Sequence, residues 1–378
     1  MRRVLFVNRY FHPDHSATSQ MASALAFALA ARGWEVGALT SRQRYDDASA
    51  RLASEVVDGV RIERIWSTRF GRAALAGRAI DYLSFYVSAF FALLRRRDAV
   101  VIAMTDPPLI SVVAALASKR LVNWVQDFFP EVAEALGMRV MRPLRIARNW
   151  SLRRARANVV LGEQMAARVP KAVVIHNWAD SSLVPVAADS NPLRDEWIKG
   201  DSFVAGYSGN LGRAHEFETI LGAIERLPSV RLVISGGGAR LDDVRRRAPA
   251  NVSFHPYQPL EMLSRALSVA DVHLVSLQPS LEGLIVPSKF YGILAVARPV
   301  IFIGSRYGEL AQLIRESRCG LVVESGDVDA LARAIASLAG DRAGAAAMGQ
   351  RGLALYRERF DPAHAFDAWE KVLEEASA

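Results

Sequence analysis

Leu281-Glu282-Gly283-Leu284-Ile285-Val286-Pro287-Ser288-Lys289-Phe290-Tyr291-Gly292 is the stretch that decides the reading of this chain. One apolar run, Val272 to Leu277, precedes it, and another, Val300 to Ile303, follows. The order is strand, acidic turn, glycine-containing loop, then a helix starting near Ser288. A helix N-terminus carries unpaired backbone N–H groups and a partial positive charge. Lys289 adds a full charge in the first turn. Such a site takes phosphate or a diphosphate. The stretch gains its meaning from its place, because strand and helix signals alternate on both sides of it.

Strand-like runs recur at 4–7, 36–39, 60–65, 99–103, 121–125, 159–161 and 173–175. Helical patterns separate them, such as Ser19 to Ala31, closed by Gly33. The alternation predicts an α/β fold with parallel sheets and helices on both faces. Residues 181–201 change character, with Val184-Pro185, Asn191-Pro192 and Lys199-Gly200, and read as an interdomain linker. The alternation restarts at 203–208 and continues through 231–235, 252–254, 272–277, 300–303 and 321–323. The domains expected are 1–185, 186–360 and a terminal helix over 361–378. Two α/β domains in series imply a cleft, with ligands outside the carboxyl ends of the strands.

The 378 residues suffice for two cores. Cys319 is the single cysteine, so no intramolecular disulfide or Cys-based zinc site is possible. The first apolar run stops at Asn8-Arg9 and is too short for a signal core, which predicts a cytoplasmic protein. The net charge of +8 is uneven: residues 1–180 hold 26 Lys and Arg against 15 Asp and Glu. The first half is therefore built to meet something anionic: nucleic acid, a membrane surface or a phosphorylated acceptor.

Several motifs follow strand ends in order: Tyr10-Phe11-His12-Pro13, Gln126-Asp127-Phe128-Phe129-Pro130-Glu131, His176-Asn177-Trp178-Ala179-Asp180 and Tyr207-Ser208-Gly209-Asn210-Leu211-Gly212. Pro287-Ser288-Lys289-Phe290-Tyr291-Gly292 and Ala297-Arg298-Pro299-Val300 complete the set. Across the whole chain this order resembles the retaining family 4 glycosyltransferases of the GT-B fold, with two Rossmann-like domains facing a cleft. Within them it is most similar to bacterial amino-sugar transferases of polysaccharide biosynthesis, of the O-antigen and colanic acid type. The resemblance implies a C-terminal domain binding a nucleotide-diphosphate sugar, UDP-linked by resemblance alone, and an N-terminal domain binding the acceptor. It also implies retention at the anomeric carbon and domain closure over the substrates. Two departures stand out. The family's paired glutamates fall at Leu284 and Gly292, with Glu282 two residues early. Its Arg and Lys pair falls at Asn210 and His215, with Arg213 as the alternative charge.

On this reading Lys289, Arg213 and Ser288 meet the diphosphate, while Glu282, Gly283, Leu284 and Ile285 position the sugar. The loop Gly209-Asn210-Leu211-Gly212-Arg213 allows close backbone approach, or is an ordinary turn. Gly236-Gly237-Gly238 lies near the nucleotide in similar enzymes. It lacks the dinucleotide-binding spacing, because position 241 is Leu. Pro256, Tyr257 and Gln258 hold the base, or form a buried loop. Asp127 is a general base or orienter of the acceptor hydroxyl, or a turn residue. His12 and Asp14 lie on the acceptor side. His176 and Asn177 read as structural. Asp327-Val328-Asp329 opens a helix and reads as a cap. With no metal-ligand spacing elsewhere, the enzyme is expected to need neither metal nor cofactor.

Residues 73–94 are apolar, but Arg78, Asp81, Ser84 and Ser88 interrupt them. They read as a helix packed on the first sheet, or partly exposed at a membrane interface. Arg95-Arg96-Arg97 follows. The run Arg139, Arg142, Arg145, Arg148, Arg153, Arg154 and Arg156 is a solvated face or an anion-binding one. Acidic headgroups or a polyprenyl-diphosphate-linked acceptor fit this charge, at the inner face of a membrane. No nucleic-acid recognition motif accompanies it. Two rivals remain: a non-hydrolysing sugar-nucleotide epimerase, and a non-catalytic binding subunit.

Overall fold

The computed structural model describes residues 2–45, 47–71, 75–96, 99–138, 141–198 and 200–378. Ala73, Ala74, Arg97, Arg139 and Lys199, named above, lie outside the described residues. The chain forms two compact units, Met1–His176 with Ala365–Ala378, and Asn177–His364.

The first unit holds β1 (Arg3–Val7), β2 (Glu35–Ser41), β3 (Glu55–Val57), β4 (Val60–Ile65), β5 (Val100–Ala103), β6 (Leu121–Val125), β7 (Ala157–Val160) and β8 (Ala172–Val174). Its helices are α1 (Ala17–Ala31), α2 (Leu75–Leu94), α3 (Ile110–Ala117), α4 (Glu131–Ala135), α5 (Leu144–Arg154) and α6 (Glu163–Ala166). The sheet runs β3-β4-β2-β1-β5-β6-β7-β8 and is parallel except at β3. The sequence reading lacked β3, a three-residue strand folded onto β4 through Asp58 and Gly59. Both take positive φ, as a tight hairpin requires.

Alternation along β1 divides the sheet's two faces. Leu5 and Val7 pack with Phe85, Ala89 and Leu93 of α2 and Ile110 and Ala114 of α3. On the opposite face Trp124 of β6 lies 4.7 Å, centroid to centroid, from Trp369 of the terminal helix. One buried ion pair ties α2 to the end of β1. Arg9 Nη2 donates to Asp81 Oδ2 at 3.1 Å, with both side chains enclosed. The remaining valences of Asp81 are filled by Thr68 Oγ1 and by the N–H groups of Phe70 and Gly71.

The second unit holds α7 (Pro192–Trp197), β9 (Phe203–Asn210), α8 (Glu218–Glu225), β10 (Val230–Gly237), α9 (Leu241–Arg247), β11 (Val252–His255), α10 (Leu260–Ser268) and β12 (Val272–Ser276). It continues with α11 (Lys289–Ala295), β13 (Val300–Ile303), α12 (Glu309–Ser317), β14 (Gly320–Val323), α13 (Val328–Gly340) and α14 (Arg342–Leu355). Helix α15 (Pro362–Ser377) belongs from Ala365 onward to the first unit. The parallel sheet runs β11-β10-β9-β12-β13-β14. Its order reverses between β9 and β12, which is where such sheets leave a crevice for ligands. The segment read as a linker packs on this unit. Val184 and Val186 donate their N–H groups to the hydroxyls of Ser264 and Ser268, and Pro192 to Trp197 form a helix capped by Asn191. Pro and Asn mark a helix start here as readily as a linker.

Candidate active site

The switch point of the second sheet is bordered by loops leaving β9, β10 and β12. After β9 the chain must turn beside the β10 loop, and glycines make this possible. Gly209, Gly236 and Gly238 take φ of 114°, 144° and 132°, a region L side chains avoid. A Cβ on Gly236 would overlap the Gly209 carbonyl oxygen, and one on Gly238 would overlap the Asn210 side chain. Two backbone hydrogen bonds lock the loops together, Leu211 N to Gly237 O at 2.7 Å and Arg240 N to Leu211 O at 3.0 Å. Asn210 also lies against Gly212, where a Cβ would sit 3.0 Å from Nδ2. The end of β12 fastens the same loop from the other side. Gln278 donates through N to Ala214 O at 2.9 Å and through Nε2 to Arg213 O at 2.8 Å.

Lys289, first residue of α11, crosses the switch point. Its ammonium sits 3.7 Å from the centre of the Tyr207 ring, and its Cε passes 3.8 Å from where a Gly209 Cβ would stand. The stem is partly open, but Nζ is enclosed and has no hydrogen-bond partner among the described residues. Burial lowers its pKa to about 7. Tyr207, whose hydroxyl donates to Asn210 O at 3.1 Å, is the residue the sequence reading missed. A buried strand tyrosine carries no signal until the lysine above it is placed.

His215 adds no charge. Its Nδ1 bonds the Ser276 carbonyl at 2.6 Å, and burial, then the nearby Lys289, lowers its pKa to about 3. Positive charge here therefore rests on Lys289 and on Arg213, which is exposed and unpaired among the described residues. Ser288 precedes α11 and makes no side-chain cap.

Glu282 accepts the N–H of Glu309 at 3.1 Å, so its carboxylate sits at the start of α12. A Cβ on Gly308 would overlap that carboxylate. Its Oε2 is buried without a partner among the described residues, and burial holds its pKa above the usual range. Gly283 turns the chain at a φ of 68°, Leu284 is buried and Ile285 is half-buried. A Cβ on Gly292 would lie 3.6 Å from Leu183 and 3.5 Å from Leu267, so that position faces apolar side chains. Tyr257 presents a 60% exposed ring resting on Gly237, and its hydroxyl donates to Gly237 O at 3.4 Å. The Pro256 carbonyl accepts from Ser235 Oγ and from Gln258 Nε2, both at 3.1 Å. Asp327 caps α13 through Ala330 N at 2.8 Å, as its sequence context predicts.

In the first unit Asp127 lies at the mouth of a pocket shared with Thr105, Asn123 and Arg148. Thr105 Oγ1, Asn123 Oδ1 and Arg148 Nη1 are buried there without partners among the described residues. Asp127 itself is exposed on one side, while the surrounding protein and the Asp106 charge raise its pKa. Asp14 uses both carboxylate oxygens on loop N–H groups, those of Ser16 and Tyr45. His12 is held by its backbone to Ser23 Oγ and Arg64, with its ring against Phe27.

Residues 202–341 match the family model described as "Glycosyl transferases group 1", and residues 16–179 the "Glycosyl transferase 4-like domain". Over 284 residues, 68% of this chain and 70% of its relative, the sequence is 30% identical to a "Probable glycosyltransferase WbjE" of Pseudomonas aeruginosa. It is 26% identical, over 68% of this chain and 71% of its relative, to a "Putative colanic acid biosynthesis glycosyl transferase WcaI" of Escherichia coli K12. Sucrose-phosphate synthase from Thermosynechococcus elongatus superposes with a TM-score of 0.80, 16% identity and 99% coverage of both chains. Anabaena HepE in complex with UDP and glucose superposes at 0.73, with 16% identity and coverage of 98% of this chain and 99% of that one. The fold is the two-domain GT-B architecture. The chain belongs to the glycosyltransferases, in the group 1 and GT4-like family.

Proposed function

We propose that this enzyme transfers a sugar from a UDP-sugar to a bacterial glycan or polyprenyl-diphosphate-linked acceptor at a membrane surface. Transfer proceeds with retention at the anomeric carbon and without a metal ion. The observation that carries this reading is the enclosed, unpartnered Lys289 ammonium at the switch point of the second sheet. A buried cation without a partner is costly, and a diphosphate is the anion its position suits. HepE, solved with UDP and glucose, supports uridine, and the relative named for colanic acid biosynthesis supports a glycan acceptor.

On this reading the bond between the anomeric carbon and the β-phosphate oxygen breaks while the acceptor oxygen attacks on the same face. Lys289 and Arg213 stabilise the charge gathering on the departing UDP. Tyr257 offers an exposed ring on which a base can stack. Glu282 and the turn at Gly283 place the sugar. In the first unit Asp127 orients the acceptor hydroxyl or accepts its proton, a role suited to a carboxylate with a raised pKa. Proton NMR of a UDP-sugar with and without acceptor tests the proposal. A product keeping the donor's anomeric configuration is expected. An inverted product contradicts retention, equilibration of the donor alone indicates an epimerase, and UDP binding without turnover on any acceptor indicates a binding subunit.

A further inference from the structure

Helix α2 is apolar on its outer face as well as on its inner one. Its polar residues turn towards the protein: Asp81 to Arg9, and Ser84 to the Thr68 backbone N–H at 2.9 Å. Its exposed residues, by contrast, are Ala76, Ala79, Ile80, Leu83, Val87 and Phe91, every one apolar. The four large side chains are 47% to 63% exposed and follow a spacing of three, four and four residues, so they form one stripe. At the rise of an α-helix that stripe is about 16 Å long. Core packing cannot account for it, because Phe85, Ala89 and Leu93 already fill the inward face.

The neighbouring helices extend this surface. α3 packs beside α2, and α5 beside α3, over the same face of the sheet. Leu116 on α3 is 63% exposed and Ile146 on α5 is 75% exposed. On these helices or just beyond their ends lie Arg95, Lys119, Arg142, Arg153 and Arg154, all exposed and none paired with a carboxylate among the described residues. The charge is one-sided. Within α2, α3 and α5 the only acidic residue is Asp81, and it is buried. Arg145 and Arg148, also in the basic run, face Glu131 and Glu134 instead.

We propose that the outer surface of the α2, α3 and α5 layer docks on an anionic lipid bilayer. Helix α2 lies in the interface plane, with Ile80, Leu83, Val87 and Phe91 among the upper acyl chains. An apolar stripe rimmed by cations is the combination that an acidic membrane surface rewards twice, through burial and through charge. A second copy of the chain fits less well, since a two-fold contact would bring the same cations face to face. No helix among the described residues is long and apolar enough to cross a membrane, so the contact is lateral. The inference deepens the reading of an acceptor at a membrane surface and rests on it for purpose, though not for its physical argument.

Vesicle flotation of the full chain tests it, using phosphatidylcholine alone and phosphatidylcholine with about a third phosphatidylglycerol. Leu83→Glu and Phe91→Glu are the variants, with circular dichroism and UDP binding as controls for folding. The wild type is expected to float with the anionic vesicles, poorly with the neutral ones, and less as salt rises. Each variant should bind anionic vesicles at least about tenfold more weakly with UDP affinity unchanged. Equal flotation of variants and wild type overturns the proposal. So does failure of the wild type to float, or a wild-type dimer that Leu83→Glu dissociates without any lipid binding. Lys289→Met should bind UDP more weakly and still float. If the wild type floats but binds no UDP, the donor reading falls and the docking face stands.

Discussion

The Lys289 ammonium lies 3.7 Å from the centre of the Tyr207 ring and donates no hydrogen bond among the described residues. The ring's negative face offsets part of the cost of burying the charge. The rest is left uncompensated until an anion arrives. If Lys289 serves the diphosphate as proposed, function and stability pull in opposite directions at this residue.

Lys289→Met should separate them. Methionine keeps the length of the side chain and its contact with Tyr207 but removes the unsatisfied charge. Thermal melting of the free protein is expected to move up, by about 1–3 kcal/mol in stability at pH 7 or below, the cost of an unsatisfied buried donor. UDP affinity is expected to fall by roughly 1.5–3 kcal/mol, the range for a hydrogen bond to a charged group. A variant that melts lower and binds UDP normally would place Lys289 in the scaffold instead.

The pH dependence has a definite sign. The folded pKa of Lys289, about 7, is below the ordinary 10.5, so the unfolded chain binds more protons between these values. This group therefore lowers stability most below about pH 7, and its penalty fades as pH rises towards 10.5. An arriving diphosphate favours the charged form and raises the pKa, so binding above pH 7 draws in a proton. Calorimetry at mildly alkaline pH, in buffers of different ionisation enthalpy, should show proton uptake with UDP in the wild type and less in Lys289→Met. Identical uptake in both proteins would argue against the assignment.

Gly236→Ala tests the loop clamp. The new Cβ meets the Gly209 carbonyl oxygen and must sit at a φ of 144°. The expected loss exceeds about 1 kcal/mol in stability, with weaker UDP binding as the β9 and β10 loops part. Urea unfolding read beside UDP titration checks both. Unchanged values in the two assays would mean the loops open without cost.

Asp81→Ala probes the first unit. It leaves Arg9 buried without its carboxylate and also removes acceptors for Thr68, Phe70 and Gly71. Breaking a buried ion pair by removing one partner costs about 3–5 kcal/mol, measurable by urea unfolding. A loss below about 1 kcal/mol would mean that water reaches Arg9.

Much of this was readable in the residues. Buried parallel strands appear as continuous apolar runs, and all thirteen runs fall on strands of the structure. β3 escaped because three residues give no run, although Asp58-Gly59 was a hairpin signal. Lys289 announced itself by its place at a helix start. Its partner Tyr207 did not, nor did the bond from Glu309 N to Glu282, since pairs 82 and 27 residues apart are joined only by topology. The basic run around α5 looked uniform, yet Arg145 and Arg148 face Glu131 and Glu134 while Arg142, Arg153 and Arg154 stay exposed. Helical spacing alone does not say which arginines find carboxylates.

The central claim is tested most directly by calorimetric titration of UDP, GDP and ADP into the wild type and Lys289→Met, with a chelator present. Selective UDP binding to the wild type, weakened by roughly 1.5–3 kcal/mol in the variant, is the predicted result. Absence of binding to all three nucleotides, or equal UDP binding by both proteins, would contradict a metal-independent donor site organised around Lys289.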